Sequence, residues 1–305
     1  MTTFASADSA DSRPTHTFFS LSRVGAIASN TLLELVRLKV FYFLLIFGLI
    51  LIGSSAFMVR FTFSEQFQVL KDVSLGAMSI FTWLLSVLAT AALLPKDIED
   101  RTLYTILAKP VPRFEYLLGK LLGVLSLLLI ATVLMSAMFV AVLFFRQQTA
   151  IAEALAGAGS PPVEQALEQV RAIRASTFTA SLVPGVVMIY IKAALFSALT
   201  LFISTYATSS IFTIMISVAA YIIGHLQGVA RDYWLSGENA GALTKIFLAL
   251  VSLIFPDLQL FNLVDDIVAG NAIAAGIFFK TAGLGVLYTC VYLLVAYFVF
   301  ANKEL

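Results

Sequence analysis

Six long apolar runs dominate the pattern of hydrophobic and polar positions along the chain. The hydrocarbon core of a bilayer is about 30 Å thick, and a helix needs about 20 apolar residues to cross it. The pattern therefore predicts an all-α membrane protein with six spanning helices, at 40–59, 73–94, 116–145, 182–204, 210–229 and 281–301. The third run exceeds the required length, so its helix is expected to tilt or to project beyond the lipid.

A seventh apolar run, 243–255, is too short to span the membrane and is closed by Pro256 and Asp257. Runs of this length are typical of re-entrant or interfacial segments. Together with 258–266 it suits two short helices that dip into the membrane and return, which is tolerated where protein buries the backbone. The alternative is a seventh span, which would move the C-terminus to the other side of the membrane.

Composition agrees with a protein whose solvent is lipid. Of 305 residues, 60% are hydrophobic and 12% are charged, whereas a soluble domain carries about 25% charged residues. The net charge of +1 argues against a nucleic-acid binder, which needs a basic excess on one face. The single cysteine, Cys290, lies in an apolar run and can form neither an internal disulfide nor a cysteine-based metal site.

Lys and Arg are denser on one side of the predicted spans than on the other. Six spans place both termini on the same side as the segment after span two, and this is the basic side. Because positive charge is retained in the cytoplasm, both termini and this segment are predicted to be cytoplasmic. Residues 1–19 lack the basic patch and apolar core of a signal peptide and are predicted to be a disordered cytoplasmic tail. Residues 20–305 then form one membrane domain.

The residues before the first span separate into two faces at helical spacing. The apolar face carries Val24, Ile27, Ala28, Thr31, Leu35 and Leu38, and the polar face carries Arg23, Asn30, Glu34 and Arg37. The pattern predicts an N-terminal amphipathic helix that lies in the membrane interface with its apolar side down. Glu34 and Arg37 are three residues apart, so they are expected to pair on the polar face.

The stretch 97–123, between the second and third predicted spans, concentrates charges, prolines and glycines. A short helix is predicted at 96–109, because Pro110 disfavours helical geometry at the residue before it. The acidic residues at its start are favoured by the helix dipole. Gly119 and Gly123 follow on one face of the next helix, at a spacing that permits close helix packing.

In order along this stretch stand an acidic pair, a Thr-Leu, an apolar position, a proline, an arginine and a Gly-Lys. The stretch resembles the cytoplasmic coupling segment, here 95–115 and the turn after it, of type-2 ABC transporter permeases of the multicopper-enzyme-maturation, gliding and drug-export type. The matching residues are Asp97, Glu99, Thr102, Leu103, Leu107, Pro110, Arg113, Gly119 and Lys120. Arg101 stands where the family usually has glycine, and it is counted with the coupling residues.

The resemblance implies the membrane subunit of an ATP-driven exporter in the inner (plasma) membrane. Two copies of a separate ATPase would dock under the coupling segment, and the permease would pair with itself or with a relative. The amphipathic helix would then be part of the ATPase dock, the alternative being a simple anchor on the membrane surface. The resemblance also implies that 230–280 forms an extracytoplasmic re-entrant helical hairpin between the last two spans.

The chain has no phosphate-binding loop, which needs Gly, four residues, then Gly-Lys-Ser/Thr. Its one Gly-Lys, Gly119-Lys120, has Phe114 at the first glycine position and Leu121 after it. ATP and Mg²⁺ are therefore expected on the partner ATPase, and no cofactor, metal or enzymatic activity is expected of this chain.

Two polar residues within the spans are candidates for a translocation path. Lys192 lies near the middle of span four, where insertion of a charge costs about 2.5–3.5 kcal/mol. It is expected to face a hydrated cavity, a partner subunit or a substrate anion, unless it reaches the outer surface along a tilted helix. His225, near the outer end of span five, is a second candidate or else a packing residue.

The first outer loop, 146–181, contains a further amphipathic pattern from Val163 to Ile173. This pattern predicts an external helix, which gates a substrate exit, docks an extracytoplasmic partner, or serves as a solvated connector resting on the membrane. Two other functions stay open. A non-transporting scaffold or sensor could use the same architecture, whereas an intramembrane enzyme needs clustered His, Asp, Glu or Cys that the spans do not supply.

Overall fold

The computed structural model describes residues 19–58, 66–99, 112–156, 163–207, 209–235, 246, 255–271 and 273–302. Regular structure in this part of the chain is helical, which confirms the predicted fold class. The helices are α1 Leu21–Val36, α2 Lys39–Met58, α3 Gln66–Ala91, α4 Leu93–Glu99, α5 Arg113–Ala156, α6 Val163–Thr177, α7 Leu182–Tyr206, α8 Ser210–Leu235, α9 Val264–Val268 and α10 Ala275–Asn302, with a 3-10 helix at Leu258–Phe261.

The six predicted spans are confirmed in number and order. Among the described residues, six helical stretches are long and apolar enough to cross a membrane, and they contain α2, α3 with α4, α5, α7, α8 and α10. The third span differs most from its predicted bounds, since α5 runs for 44 residues, or about 66 Å at 1.5 Å per residue. Residues 146–156, expected in a loop, therefore extend α5 beyond the lipid, and α6 packs against it.

A proline sets the boundary between α3 and α4. Pro95 has no N–H, and its ring excludes the carbonyl four residues earlier from helical geometry. That carbonyl belongs to Ala91, where α3 ends, and the amide of Lys96 donates to Ala92 at 3.1 Å. The helix expected from residue 96 thus begins at Leu93, and its predicted end at Pro110 lies outside the described residues.

The bundle is organised around α7. This helix contacts α3, α5, α8 and α10, and Leu195, Ala198 and Leu201 along it are fully buried. By contrast, α2 and α10 leave large apolar side chains exposed, among them Phe43 and Phe298. An apolar surface of this kind is what a lipid-facing helix presents.

The two ends of the bundle are distinct. At one end, here called the coupling end, Asp97, Arg113 and Phe300 come together. At the other, the distal end, the start of α3 meets the end of α6 and the turn after α9. The coupling end is therefore the end at which the stretch 97–123 leaves and re-enters the bundle.

Residues 255–271, within the segment predicted to form a hairpin, pack against the spans at the distal end. Ile267 and Leu258 are fully buried against glycines of α7 and α8. A Cβ atom at Gly185 would lie 2.1 Å from Ile267 Cδ1, and one at Gly224 would lie 2.7 Å from Leu258 Cδ1. Most of the run 243–255, and with it the choice between a re-entrant and a spanning segment, lies outside the described residues.

Candidate functional site

Charged side chains from α1, α4 and α5 meet at the coupling end. Lys120 Nζ lies 2.7 Å from Asp97 Oδ2 and 3.8 Å from Glu34 Oε2. Lys96 Nζ lies 2.6 Å from Glu34 Oε1. This group, Glu34, Lys96, Asp97 and Lys120, is called the coupling cluster, and it connects three helices through alternating charges.

The Asp97–Lys120 pair is removed from water and supported by an aromatic residue. The two side chains are only 11% and 6% exposed. The Tyr116 hydroxyl donates a hydrogen bond to Asp97, the Tyr116 ring centroid lies 5.8 Å from Lys120 Nζ, and the same ring stacks on Phe300 of α10. A buried charge is tolerated when it is paired and hydrogen-bonded in this way.

Helix α1 lies in close contact with the start of α5. A Cβ atom at Gly119 would lie 2.7 Å from Ile27 Cβ, and one at Gly123 would lie 2.6 Å from Thr31 Cβ. The close packing expected from the spacing of these glycines is thus confirmed, with α1 as the partner. The apolar face of α1, expected to face lipid, instead packs against α5, burying Val24 fully, because the glycines leave room for it.

A second ion pair joins the beginnings of α1 and α5. Arg23 contacts Glu115 through two nitrogens, with Nε 2.6 Å from Oε2 and Nη2 2.8 Å from Oε1. The amide of Ser20 adds a hydrogen bond of 2.8 Å to Oε1. Sequence reasoning did not select Glu115, although a single carboxylate in the first turn of an apolar helix was an available signal.

Arg113 joins the start of α5 to the end of α10. Its Nη1 donates to the carbonyl of Phe300 at 3.0 Å and also to that of Ala301, and its guanidinium lies 5.9 Å from the Phe300 ring centroid. Carbonyls in the last turn of a helix lack intrahelical partners, and the helix dipole favours a cation there. A residue of the predicted coupling segment is therefore attached to the last span.

The Glu34 carboxylate does not form the expected ion pair with Arg37. Glu34 instead contacts Lys96 and Lys120, because α4 and α5 bring two ammonium groups to it. Arg37 caps the end of α1 and is exposed. Asn30, Glu34, Arg37 and Lys96 line a cavity of about 460 Å³ at the surface of the coupling end.

The structure brings four of the predicted coupling residues to the coupling end. They are Asp97, Arg113, Gly119 and Lys120. Arg101, Thr102, Leu103, Leu107 and Pro110 lie outside the described residues, and so does the side chain of Glu99. The role of all these residues in coupling stays a prediction.

The two candidate translocation residues lie side by side between α7 and α8. Lys192 Nζ is 3.1 Å from His225 Nε2, and His225 Nδ1 is 3.0 Å from the carbonyl oxygen of Tyr221. Since a carbonyl can only accept, Nδ1 carries the hydrogen and Nε2 offers a lone pair to the ammonium. Lys192 is 8% exposed, so its ammonium lies inside the bundle, in contact with His225.

Comparison with known proteins agrees with this architecture. A family model described as "ABC-2 family transporter protein" matches residues 3–305, nearly the whole chain. No curated protein matches the chain. The resemblance seen in the stretch 97–123 is thereby confirmed at the level of the family. With six membrane-spanning helices and a family match over almost its full length, the chain belongs to the ABC-2 family of transporter proteins and is a multi-pass membrane subunit of an ABC transporter.

Proposed function

We propose that this chain is the membrane subunit of an exporter and that a separate ATPase drives it through the segment 97–123. The observation that carries the proposal is the coupling cluster, which connects α1, α4 and α5 directly beside the two ends of that segment. ATP and Mg²⁺ would be bound by the ATPase, and this chain would receive the movement.

The contacts at the coupling end support transmission of force into the spans. Helix α4 follows α3 with a single residue between them, and α5 begins two residues after the segment 100–111. Arg113 extends the connection to α10. A displacement of the segment would therefore move α3, α5 and α10 together, and closure of two ATPases could shift a permease dimer between inward- and outward-facing states.

The distribution of charge supports a cytoplasmic position for the coupling end. Among the residues that the structure describes, the basic ones at this end include Arg23, Arg37, Lys39, Lys96, Arg113 and Lys120. Positive charge near span ends favours the cytoplasmic side, where an ATPase of the inner membrane operates. The cavity lined by Glu34, Arg37 and Lys96 offers both signs of charge to a docking partner.

The direct test is purification of the tagged chain from its own host in mild detergent. The proposal expects a nucleotide-binding subunit to co-elute in a fixed ratio, with ATP hydrolysis in the purified complex. A scaffold or sensor would purify without ATPase activity. A stable preparation of the chain that has neither a nucleotide-binding subunit nor ATP hydrolysis would refute the proposal.

Replacing Arg113 by alanine is expected to uncouple ATP hydrolysis from movement of the spans. The change removes the charged hydrogen bonds to the end of α10, each worth enough to change an equilibrium about tenfold. A spin label on Cys290, the chain's single cysteine and exposed on α10, should report an ATP-dependent change that is lost in Arg113→Ala. ATP hydrolysis and membrane insertion should be retained, and Glu99→Ala is expected to behave likewise.

The matched control is Arg174→Ala, because Arg174 is an exposed arginine in the last turn of α6, near the distal end. This variant should retain both hydrolysis and the ATP-dependent change at Cys290. Coupling at the level of the unaltered protein in both Arg113→Ala and Glu99→Ala would contradict the assignment of the coupling segment.

We further propose that Lys192 and His225 belong to the translocation path. Lys192→Met removes a charge whose insertion into the membrane costs about 2.5–3.5 kcal/mol, so the purified variant should melt at the same temperature or higher. It should nevertheless fail to complement a strain that lacks the chain, because the ammonium that contacts the substrate in the proposed path is gone. Lys280→Met, at an exposed position on α10, is the control, and full complementation by Lys192→Met would contradict this role.

A further inference from the structure

A second cavity lies at the distal end, far from the coupling cluster. It has a volume of about 460 Å³ and is lined by the start of α3, the end of α6 and the turn after α9. Cavities of about 300–1,000 Å³ are the usual size of small-ligand sites. Its polar lining includes Gln66, Gln68, Lys71, Ser176 and Thr179.

Lys71 is a buried cation with few partners. The residue is 2% exposed, and its ammonium donates to the Ser176 carbonyl at 2.8 Å. Within the described ranges, no carboxylate forms an ion pair with it. An ammonium carries three donors, and a buried charge is costly unless it is paired. The other two N–H donors of Lys71, a residue that lines the cavity, form no hydrogen bond among the described residues.

Thr179, three residues after Ser176, provides an independent observation. Its hydroxyl is buried and has no hydrogen-bond partner among the described residues, although the residue lines the cavity. At the same cavity, the backbone of Gly270 has a φ of +78°, and among the described residues no atom lies within 4 Å of a Cβ built there.

We propose that this cavity binds a phosphate group, carried on a membrane lipid or free in solution. A phosphate offers several acceptor oxygens and negative charge, which match an ammonium, a hydroxyl and the amides of Gln66 and Gln68 on different elements. The cavity is larger than phosphate alone needs, and Phe67 and Val268 add apolar lining. It also lies where the α3 span begins, so a lipid headgroup at the interface could enter it.

Binding to the purified full-length protein tests the site with three probes: phosphatidylglycerol, diacylglycerol and inorganic phosphate. Phosphatidylglycerol is expected to bind saturably, and diacylglycerol, which lacks the phosphate, is expected not to compete. Lys71→Met should weaken phosphatidylglycerol binding at least about tenfold, since a charged hydrogen bond is lost. Lys280→Met, an exposed lysine outside the cavity, should leave binding unchanged.

Two further variants keep the test decisive if Lys71→Met does not fold. Thr179→Val removes only the hydroxyl and should weaken binding several-fold. Ala175→Trp fills the cavity from an exposed position and should abolish binding while Lys71 stays in place.

The probes also separate the two sources of phosphate. Binding of phosphatidylglycerol alone identifies a lipid site, and displacement of the lipid by inorganic phosphate identifies a site for the free anion. Equal binding of phosphatidylglycerol and diacylglycerol would overturn the proposal. Phosphatidylglycerol binding that survives both Ala175→Trp and Thr179→Val would overturn it as well.

Discussion

Lys120→Met is expected to destabilise the folded protein by about 3 kcal/mol, because it removes the buried ammonium that contacts the Asp97 carboxylate. The pair is largely excluded from water, with 2.7 Å between Lys120 Nζ and Asp97 Oδ2. Water cannot replace the lost contact at such a site, and the Tyr116 hydroxyl remains as the carboxylate's hydrogen-bond donor. Unfolding of the purified protein in mixed micelles, followed by circular dichroism against denaturant, measures the change.

Lys96→Met is the matched control within the same cluster. Lys96 also contacts Glu34, but its side chain is 47% exposed, and exposed ion pairs contribute about 0–1 kcal/mol. The double variant Asp97→Asn/Lys120→Met should recover part of the loss, because no unpaired charge is left. Equal destabilisation by Lys96→Met and Lys120→Met would show that burial of the pair does not govern its contribution.

Gly123→Leu is expected to displace α1 from α5 and to lower stability by about 1–3 kcal/mol, the usual cost of overpacking. A Cβ atom there would lie 2.6 Å from Thr31 Cβ and 2.9 Å from the Ala28 carbonyl oxygen. A backbone atom cannot move aside as a flexible side chain can, so the whole helix must shift. Labelling of a cysteine introduced at Thr31, which is fully buried, should become fast in this variant.

Gly25→Ala, within α1 itself, provides the control for that experiment. Among the described residues, no atom lies within 4 Å of a Cβ built at Gly25, and alanine is more favourable than glycine inside a helix by about 0.8–1.0 kcal/mol. This variant should keep the Thr31 position protected and raise stability slightly. Protection of Thr31 in Gly123→Leu would mean that the α1–α5 contact is looser than the structure has it.

Membrane spans were predictable because lipid imposes a local rule. Each span must satisfy its own backbone within about 20 consecutive apolar residues, so the six runs could be read without knowledge of their neighbours. The ends were less predictable. The break before Leu93 follows from Pro95, but the continuation of α5 to Ala156 depends on packing against α6 outside the lipid.

At the coupling end, the sequence predicted the position of the residues better than their partners. Asp97, Gly119 and Lys120 were selected by the order of a motif, and the structure places them at one end of the bundle. Glu34 was expected to pair with Arg37 three residues away, yet it contacts lysines of two other helices. The rule that residues three apart on a helix pair did not predict the partner of Glu34, because the packing of α4 and α5 on α1 places two lysines at its carboxylate.

The sequence by itself determined the membrane class, the number and order of the spans, and the family that the stretch 97–123 indicates. Only the tertiary structure decided which side chains meet. It joined Arg23 to Glu115 across 92 positions, placed Lys192 against His225, turned the apolar face of α1 onto α5, and left Lys71 beside a cavity. These contacts depend on the rotation of each helix about its axis and on its neighbours, and an almost uniformly apolar span does not encode its rotation in any local pattern.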